Sequence, residues 1–125
     1  MRICDTRSGN PSNLSGPDAQ CNGTNGAGDP LGPVTTHAIT VTGLAGVPTD
    51  AKAVVLNVTA VSPTAATYLT VFPTGTSPTV SDLNPTPGDV EANLVVATVS
   101  PTGTVDLYNN AGTANVVVDV AGWYS

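Results

Sequence analysis

The chain has 125 residues, enough for one domain with its own core, and its formal net charge of −6 leaves only three basic residues, Arg2, Arg7 and Lys52. So few cations exclude a basic patch for nucleic-acid phosphate or an anionic membrane surface, and no apolar run reaches the roughly 20 residues of a spanning helix. Glycine (13) and proline (11) are frequent while helix-favouring residues are scarce, so the composition favours strands and turns.

The first predicted element is an edge strand from Arg2 to Arg7, followed by a long loop over residues 8–33. The loop has no apolar periodicity and contains Cys21, whereas Cys4 lies in the strand. A disulfide between them would tie the loop to the strand and, for a loop near 15 residues, stabilise the fold by roughly 3 kcal/mol. Two free thiols in a cytosolic protein are the alternative. The low lysine content and the even cysteine count favour export and the disulfide.

The longest apolar run, Lys52 to Val61, predicts the central strand. Within it Val54, Leu56, Val58 and Ala60 alternate with a half-polar set, which is the pattern of a strand with one face in a core. A half-buried strand is predicted before it, from Thr35 to Leu44. Met1 directly precedes the first strand, so we expect any secretion leader to have been removed.

Further strands are predicted over residues 67–72, 79–83, 93–99, 104–108 and 114–124, separated by proline and glycine turns. No helical period occurs. This spacing predicts a single domain over residues 1–125 that is all-β, an antiparallel sandwich of the Ig-like or jelly-roll-like kind, or a barrel-like closure. A weak repeat around Ser62-Pro-Thr64 and Ser100-Pro-Thr102 predicts two similar hairpins.

An ordered set of short motifs spans the whole chain. They are Cys4-Asp-Thr-Arg7, Gly46-Val-Pro48, Ala53-Val-Val-Leu-Asn-Val-Thr59, Tyr68-Leu-Thr-Val71, Leu83-Asn84, Asn93-Leu-Val95, Leu107-Tyr-Asn109 and Val118-Asp-Val-Ala-Gly-Trp-Tyr124. Together they resemble a β-rich repeat module, often in tandem, of large secreted and cell-surface proteins of actinobacteria. The resemblance implies an extracellular location and an accessory role beside other domains, with no particular ligand or activity. The Cys4 opening with a second cysteine in the loop is similar to a disulfide-bearing subset of these modules.

The aromatic residues Trp123, Tyr124, Tyr68 and Tyr108 are the candidates for ligand binding. Carbohydrate-binding sandwiches use a planar row of exposed aromatics to stack on sugar rings. With so few aromatics in the chain, core or interface anchors are the alternative use.

Asp89, Glu91 and Asn93 are candidate calcium ligands, because they place oxygen atoms on alternate residues. The stretch lacks the glycine-bearing loop of an EF-hand, so no firm metal site and no cofactor are predicted. An ordinary loop is the alternative.

Asp119 interrupts the apolar run of the last predicted strand, and an unpaired buried charge is expensive. We therefore predict an ion pair between Asp119 and Arg7, with a solvent-facing Asp119 as the alternative. His37 has no nucleophile or carboxylate beside it in the sequence, and no pair of carboxylates stands out, so no catalytic residue is predicted.

These observations lead to two hypotheses. The first is a non-catalytic extracellular module that acts as a rigid spacer, a surface-display unit or an assembly unit, with neighbouring domains or copies of itself as partners. The second is a carbohydrate-binding module for cell-surface polysaccharide, with or without calcium. Neither involves nucleic acid or membrane insertion.

Overall fold

The computed structural model describes residues 1–76 and 81–125 as two antiparallel sheets packed face to face, the predicted sandwich and not a closed barrel. The first sheet has the strand order β1-β7-β3-β5 and the second β2-β6-β4. The strands of the described residues are β1 (Arg2–Asp5), β2 (Thr35–Thr40), β3 (Ala53–Val61), β4 (Leu69–Pro73), β5 (Val90–Thr98), β6 (Thr104–Asn109) and β7 (Asn115–Tyr124).

The predicted central strand is central. β3 pairs with β7 on one side and with β5 on the other, both antiparallel. Its burial alternates without interruption, with Val54, Leu56, Val58 and Ala60 in the core. A side-chain period of two matches a strand with one face toward a second sheet, which explains why the pattern was readable from the sequence.

The second sheet closes the core from the opposite side. Ile39 on β2, Leu69 on β4, and Val105 and Leu107 on β6 are all buried against the inner face of the first sheet. Leu83 fills the gap beside β4, where it forms a single bridge with Leu69. Residues 79–80 of the strand predicted over 79–83 lie outside the described residues.

The two Ser-Pro-Thr segments do not close hairpins as predicted. They lead from β3 to β4 and from β5 to β6, and each pair of strands belongs to different sheets. β3 already has a partner on both edges, and a strand has only two edges, so β4 cannot pair with it. Each repeat is therefore an arch that connects the two sheets. The two arches lie side by side, with β3 paired antiparallel to β5 in the first sheet and β4 paired antiparallel to β6 in the second.

The predicted disulfide is formed between Cys4 and Cys21, with both side chains buried. The loop that it clamps contains two short 3₁₀ helices, Gly16–Ala19 and Thr24–Gly26. The loop returns to β1 where the N–H of Asp29 donates to the carbonyl of Thr6 at 2.9 Å. Gly28 permits this approach, since a Cβ there would lie 2.7 Å from the same oxygen.

Both chain ends lie at one end of the sandwich, which we call the terminal end. β1 runs antiparallel to β7 with Arg2 opposite Asp119, and the amino group of Met1 donates to the carbonyl of Val120 at 3.0 Å. Tyr124 closes β7 beside Ala53, the first residue of β3. The opposite end, where β3 ends and β4 begins, is called the far end.

Candidate functional site

Three exposed aliphatic side chains line the outer face of the first sheet along β5. Val90, Leu94 and Val96 expose 71%, 60% and 60% of their surface. In the ladder they lie opposite the outward residues Val61, Asn57 and Val55 of β3. A β-branched or apolar side chain on a strand face ordinarily packs against a second layer, so this surface is a candidate for interaction with another protein.

The four candidate aromatics form two groups rather than one row. Tyr68 and Tyr108 lie at the far end on the second sheet, and their ring centroids are 6.0 Å apart with a tilt of 45°. Trp123 and Tyr124 lie at the terminal end on the first sheet, beside the start of β3. β3 has nine residues, so the two groups are separated by about 27 Å along the strand. A single platform of four rings is not formed.

The Tyr68–Tyr108 pair is nevertheless a defined surface feature. The hydroxyl of Tyr108 donates to the side-chain oxygen of Asn110 at 3.2 Å. Burial, followed by the neighbouring Tyr68, raises the pKa of Tyr108 above its usual value. Tyr108 and Asn110 are both half-buried, and Tyr68 is exposed, so the pair is partly accessible at the far end.

The calcium candidates lie where the chain enters β5, which begins three residues earlier than predicted. Asp89 accepts hydrogen bonds from the hydroxyl and N–H of Thr86, which hold its pKa below the usual value. The amide of Asn93 donates to the carbonyl of Asp82 at 2.8 Å. Among residues 1–76 and 81–125, no group of three or more His, Cys, Asp or Glu side chains could hold a metal ion. Calcium binding stays a prediction.

A buried carboxylate organises the start of the disulfide loop. Asp5 is fully buried and accepts hydrogen bonds from the backbone N–H, Nε and Nη2 of Arg7 at 3.1, 3.0 and 2.9 Å, and from the hydroxyl of Ser12. Burial raises the pKa of Asp5, but the hydrogen bonds from Arg7 and Ser12 outweigh it and hold the pKa below its usual value. Asp5 raises the pKa of Arg7 in return.

The predicted ion pair between Arg7 and Asp119 is wrong. Asp119 instead pairs with Arg2, its neighbour across the β1–β7 ladder, with Nε 3.1 Å from Oδ1. Arg7 lies beyond the end of β1 and folds back onto Asp5, two residues before it. Asp119 is half-buried on the outer face, as the alternative interpretation allowed. The sequence did carry a local signal for the Asp5–Arg7 pair, because an Asp side chain often accepts a hydrogen bond from the backbone N–H two residues later.

His37, Asp82 and Asp106 each lie beside a polar group of the surrounding structure. His37 Nδ1 lies 3.8 Å from a carboxylate oxygen of the exposed Asp29. Asp82 accepts from a backbone N–H of β4 at 2.7 Å, and Asp106 accepts from a threonine hydroxyl in the turn after β4 at 2.8 Å. Asp82 therefore holds the backbone of β4, and Asp106 holds a side chain in the turn that follows it.

A shallow cleft of about 350 Å³ opens at the terminal end, between the turn before β3 and the turn after β5. It is lined by Thr49, Asp50, Ala51, Lys52, Val99, Ser100 and Pro101. The lining contains neither the tyrosine pair nor the calcium candidates, so the cleft is separate from the predicted sites.

Comparison of the sequence with protein-family models gives no match, and comparison with curated proteins gives none either. Within the described part of the chain, no helix has the length and apolar character needed to cross a bilayer.

Proposed function

We propose that the chain is a non-catalytic extracellular module that stands off from its flanking segments and displays its far end and its outer face. The observation that carries the proposal is the antiparallel pairing of the first and last strands. It brings Met1 next to Val120, only a few residues before the end of β7. Segments attached at both ends would therefore meet at one end of the sandwich.

The geometry favours display over a spacer that extends end to end. At about 3.4 Å per residue, the four steps along β7 from Val120 to Tyr124 separate the two ends by about 14 Å, whereas β3 alone is about 27 Å long. The body thus projects away from the point of attachment, and the Tyr68–Tyr108 pair lies at its far end.

Two further observations support an extracellular setting. The Cys4–Cys21 disulfide persists in oxidising compartments, and it clamps a loop that has little apolar content of its own. The resemblance to the repeat module of actinobacterial surface proteins agrees with this location. Neighbouring domains or further copies are the partners that such a module would have.

The test has two arms. Fluorescent donor and acceptor proteins fused to the two ends should show efficient energy transfer that falls when the sandwich is unfolded in urea. Thermal unfolding of the unfused protein should show one transition whose midpoint stays within about 1 °C in the presence of any glycan, with or without calcium. An energy-transfer efficiency as low as that expected for chain ends on opposite sides of the sandwich would overturn the display geometry.

A carbohydrate-binding module is the second candidate, and the Tyr68–Tyr108 pair favours it. The rings are tilted by 45°, so they offer an edge and one face rather than a flat platform. A glycan that binds there at 100 times its dissociation constant should raise the unfolding midpoint by roughly 5 °C or more. Tyr68→Ala should abolish that rise, and Tyr124→Ala, a change at the terminal end, should not.

A further inference from the structure

Side chains and loop segments cover parts of three exposed strand edges of the sandwich. The amide of Gln20 donates to the carbonyls of Ile3 and Thr40 at 2.9 and 3.0 Å and accepts from the N–H of Thr40 at 2.8 Å, which covers the edges of β1 and β2. The edge of β4 is covered by the segment around Leu83, where Asp82 accepts from the N–H of Val71. Free edges invite pairing with another chain, and these contacts block part of each of the three edges. On the shorter β2, the backbone groups of Thr36 and Ala38 have no hydrogen bond outside the β2–β6 ladder in the described part of the chain.

The fourth edge belongs to β5, the longer of the two edge strands of the first sheet. All nine of its residues pair with β3 without a register shift. In the described part of the chain, no backbone group of β5 forms a hydrogen bond outside that ladder; its one other bond comes from the side chain of Asn93. Among the described strands, β5 is therefore the longest edge strand, and no backbone hydrogen bond covers its edge.

The ladder shows which backbone groups are free. The N–H of Val99 donates to the carbonyl of Lys52, and the N–H of Ser62 donates to the carbonyl of Asp89, so both flanking pairs are of the hydrogen-bonded type. Hydrogen-bonded and non-hydrogen-bonded pairs alternate along an antiparallel ladder. The residues that turn their N–H and C=O groups to the free edge are therefore Val90, Ala92, Leu94, Val96 and Thr98.

We infer that β5 pairs with β5 of a second copy of this chain, antiparallel and about a two-fold axis at Leu94. That axis places Leu94 opposite Leu94 of the second copy, Val96 opposite Ala92 and Val90 opposite Thr98. The free backbone groups of each copy then face those of the other, and every outward side chain meets an apolar residue or a threonine. The two first sheets become one continuous sheet.

Charge does not oppose this arrangement. The only charged residue within β5 is Glu91, on the inner side of the strand, and the axis places it opposite Ala97. The two Glu91 side chains are then about six residues apart, roughly 20 Å, which exceeds the screening length of about 8 Å at physiological salt. The carboxylate of Asp82 accepts from β4 and so is turned away from the edge.

The area predicts a reversible pair. Nine residues make an edge about 27 Å long, and a sheet about 10 Å thick would bury about 270 Å² per copy. A stable interface buries about 800 Å² per partner, so pairing alone is weak. It becomes populated where copies are concentrated on a surface or in tandem, where effective concentrations reach the millimolar range. The inference thus rests on the proposed display function for its setting.

Sedimentation of the wild-type protein from about 10 μM to about 1 mM should show a mass that rises toward the dimer. Leu94→Lys places two like charges on the axis and should raise the dissociation constant at least about tenfold. Ala92→Pro should do the same, since it removes an N–H that faces the free edge and so spares the β3 ladder. Ala38→Lys, on the exposed side of β2, is the matched control and should leave pairing unchanged.

Cross-linking tests the register, with the native disulfide kept intact. Leu94→Cys should form a disulfide-linked dimer on mild oxidation, because paired residues lie about 5.5 Å apart between Cα atoms. Ala92→Cys and Val96→Cys should each cross-link slowly alone and rapidly when mixed. Cross-linking of Leu94→Cys no faster than Ala38→Cys would overturn the two-fold pairing.

A wild-type mass that stays monomeric to about 1 mM also overturns the inference, as does a dimer that Leu94→Lys leaves intact. If β5 amides become protected only when an unrelated extended peptide is added, the edge has another occupant and self-pairing is wrong. None of these outcomes bears on the energy transfer between the chain ends or on the glycan response, so the proposed function is tested separately.

Discussion

The buried carboxylate of Asp5 allows a quantitative prediction about its partner. Arg7→Met removes the Nε and Nη2 donors and the positive charge, and leaves the Asp5 carboxylate with the backbone N–H and Ser12. Asp5 has no exposed surface, so the stranded charge cannot reach water. Breaking a buried pair in this way costs about 3–5 kcal/mol, and we expect the free energy of unfolding to fall by about 3 kcal/mol.

The reverse substitution should be milder. In Asp5→Asn the unpaired group is the Arg7 guanidinium, which is about one-third exposed and can turn to solvent. The loss is then that of charge-assisted hydrogen bonds, about 1–3 kcal/mol. Urea unfolding with a common m-value measures both. Arg2→Met, the same change in a pair that is partly exposed on both sides, is the control and should cost less than about 1 kcal/mol.

The pH dependence follows from the pKa of Asp5. In the native protein this pKa lies below the unfolded value, so the stabilisation is present above about pH 4 and is lost as the pH falls through the folded pKa. Without the Arg7 guanidinium, burial should raise the folded pKa instead, and protonation would then relieve the stranded charge. The difference in free energy of unfolding between the native protein and Arg7→Met should therefore become smaller from pH 7 to about pH 3. A gap that is equal at both pH values, or an Arg7→Met cost equal to that of Arg2→Met, would refute the reasoning.

Three further outcomes are expected. Reduction should add two hydrogens to the Cys4–Cys21 peptide pair in mass spectra, and Cys4→Ser should lower the unfolding free energy by about 2–5 kcal/mol without changing the strand signal in circular dichroism. Leu56→Ala should cost about 2–5 kcal/mol in urea melts and Thr59→Ala less than about 0.5, and equal costs would contradict the observed faces of β3. Asp119→Asn should cost less than about 1 kcal/mol, falling further in high salt, because its pair with Arg2 is partly exposed to solvent.

The buried and exposed faces of the strands could be predicted from the sequence, because alternate residues along a strand point to opposite faces. The alternation in β3 needs no knowledge of its neighbours, and the disulfide needed only that two cysteines flank an otherwise unanchored loop. The choice of β3 as the central strand also held, since the longest apolar run has the most core to cover.

Pairing could not be predicted in the same way, since it depends on which edges are already occupied. The Ser-Pro-Thr segments look like hairpin turns until β3 is seen to have partners on both sides. The partner of Asp119 depends on the register of β1 against β7, which includes a shift between Arg2 and Cys4. A shift of one residue exchanges the faces of a strand, so composition alone cannot decide between Arg2 and Arg7.

The edge of β5 also escaped prediction. Its sequence shows an apolar run, but the exposure of Leu94 and Val96 results from the position of β5 at the end of the sheet. The contacts of Gln20 and Asp82 with other strand edges could not be predicted either, since each residue is distant in sequence from the strand residue that it contacts.

The placement of both chain ends at one end of the sandwich has a mechanical consequence. A force that pulls Met1 away from Ser125 acts across the β1–β7 ladder at its open end, so the hydrogen bonds between Met1 and Val120 are loaded first and the rest in sequence. Bonds that break one at a time resist far less than a ladder sheared along its length. The peeling strand then reaches Cys4, whose bond to Cys21 keeps the intervening loop out of the extended length. The module would therefore yield at low tension, which suits a unit held at its base and not one that transmits load.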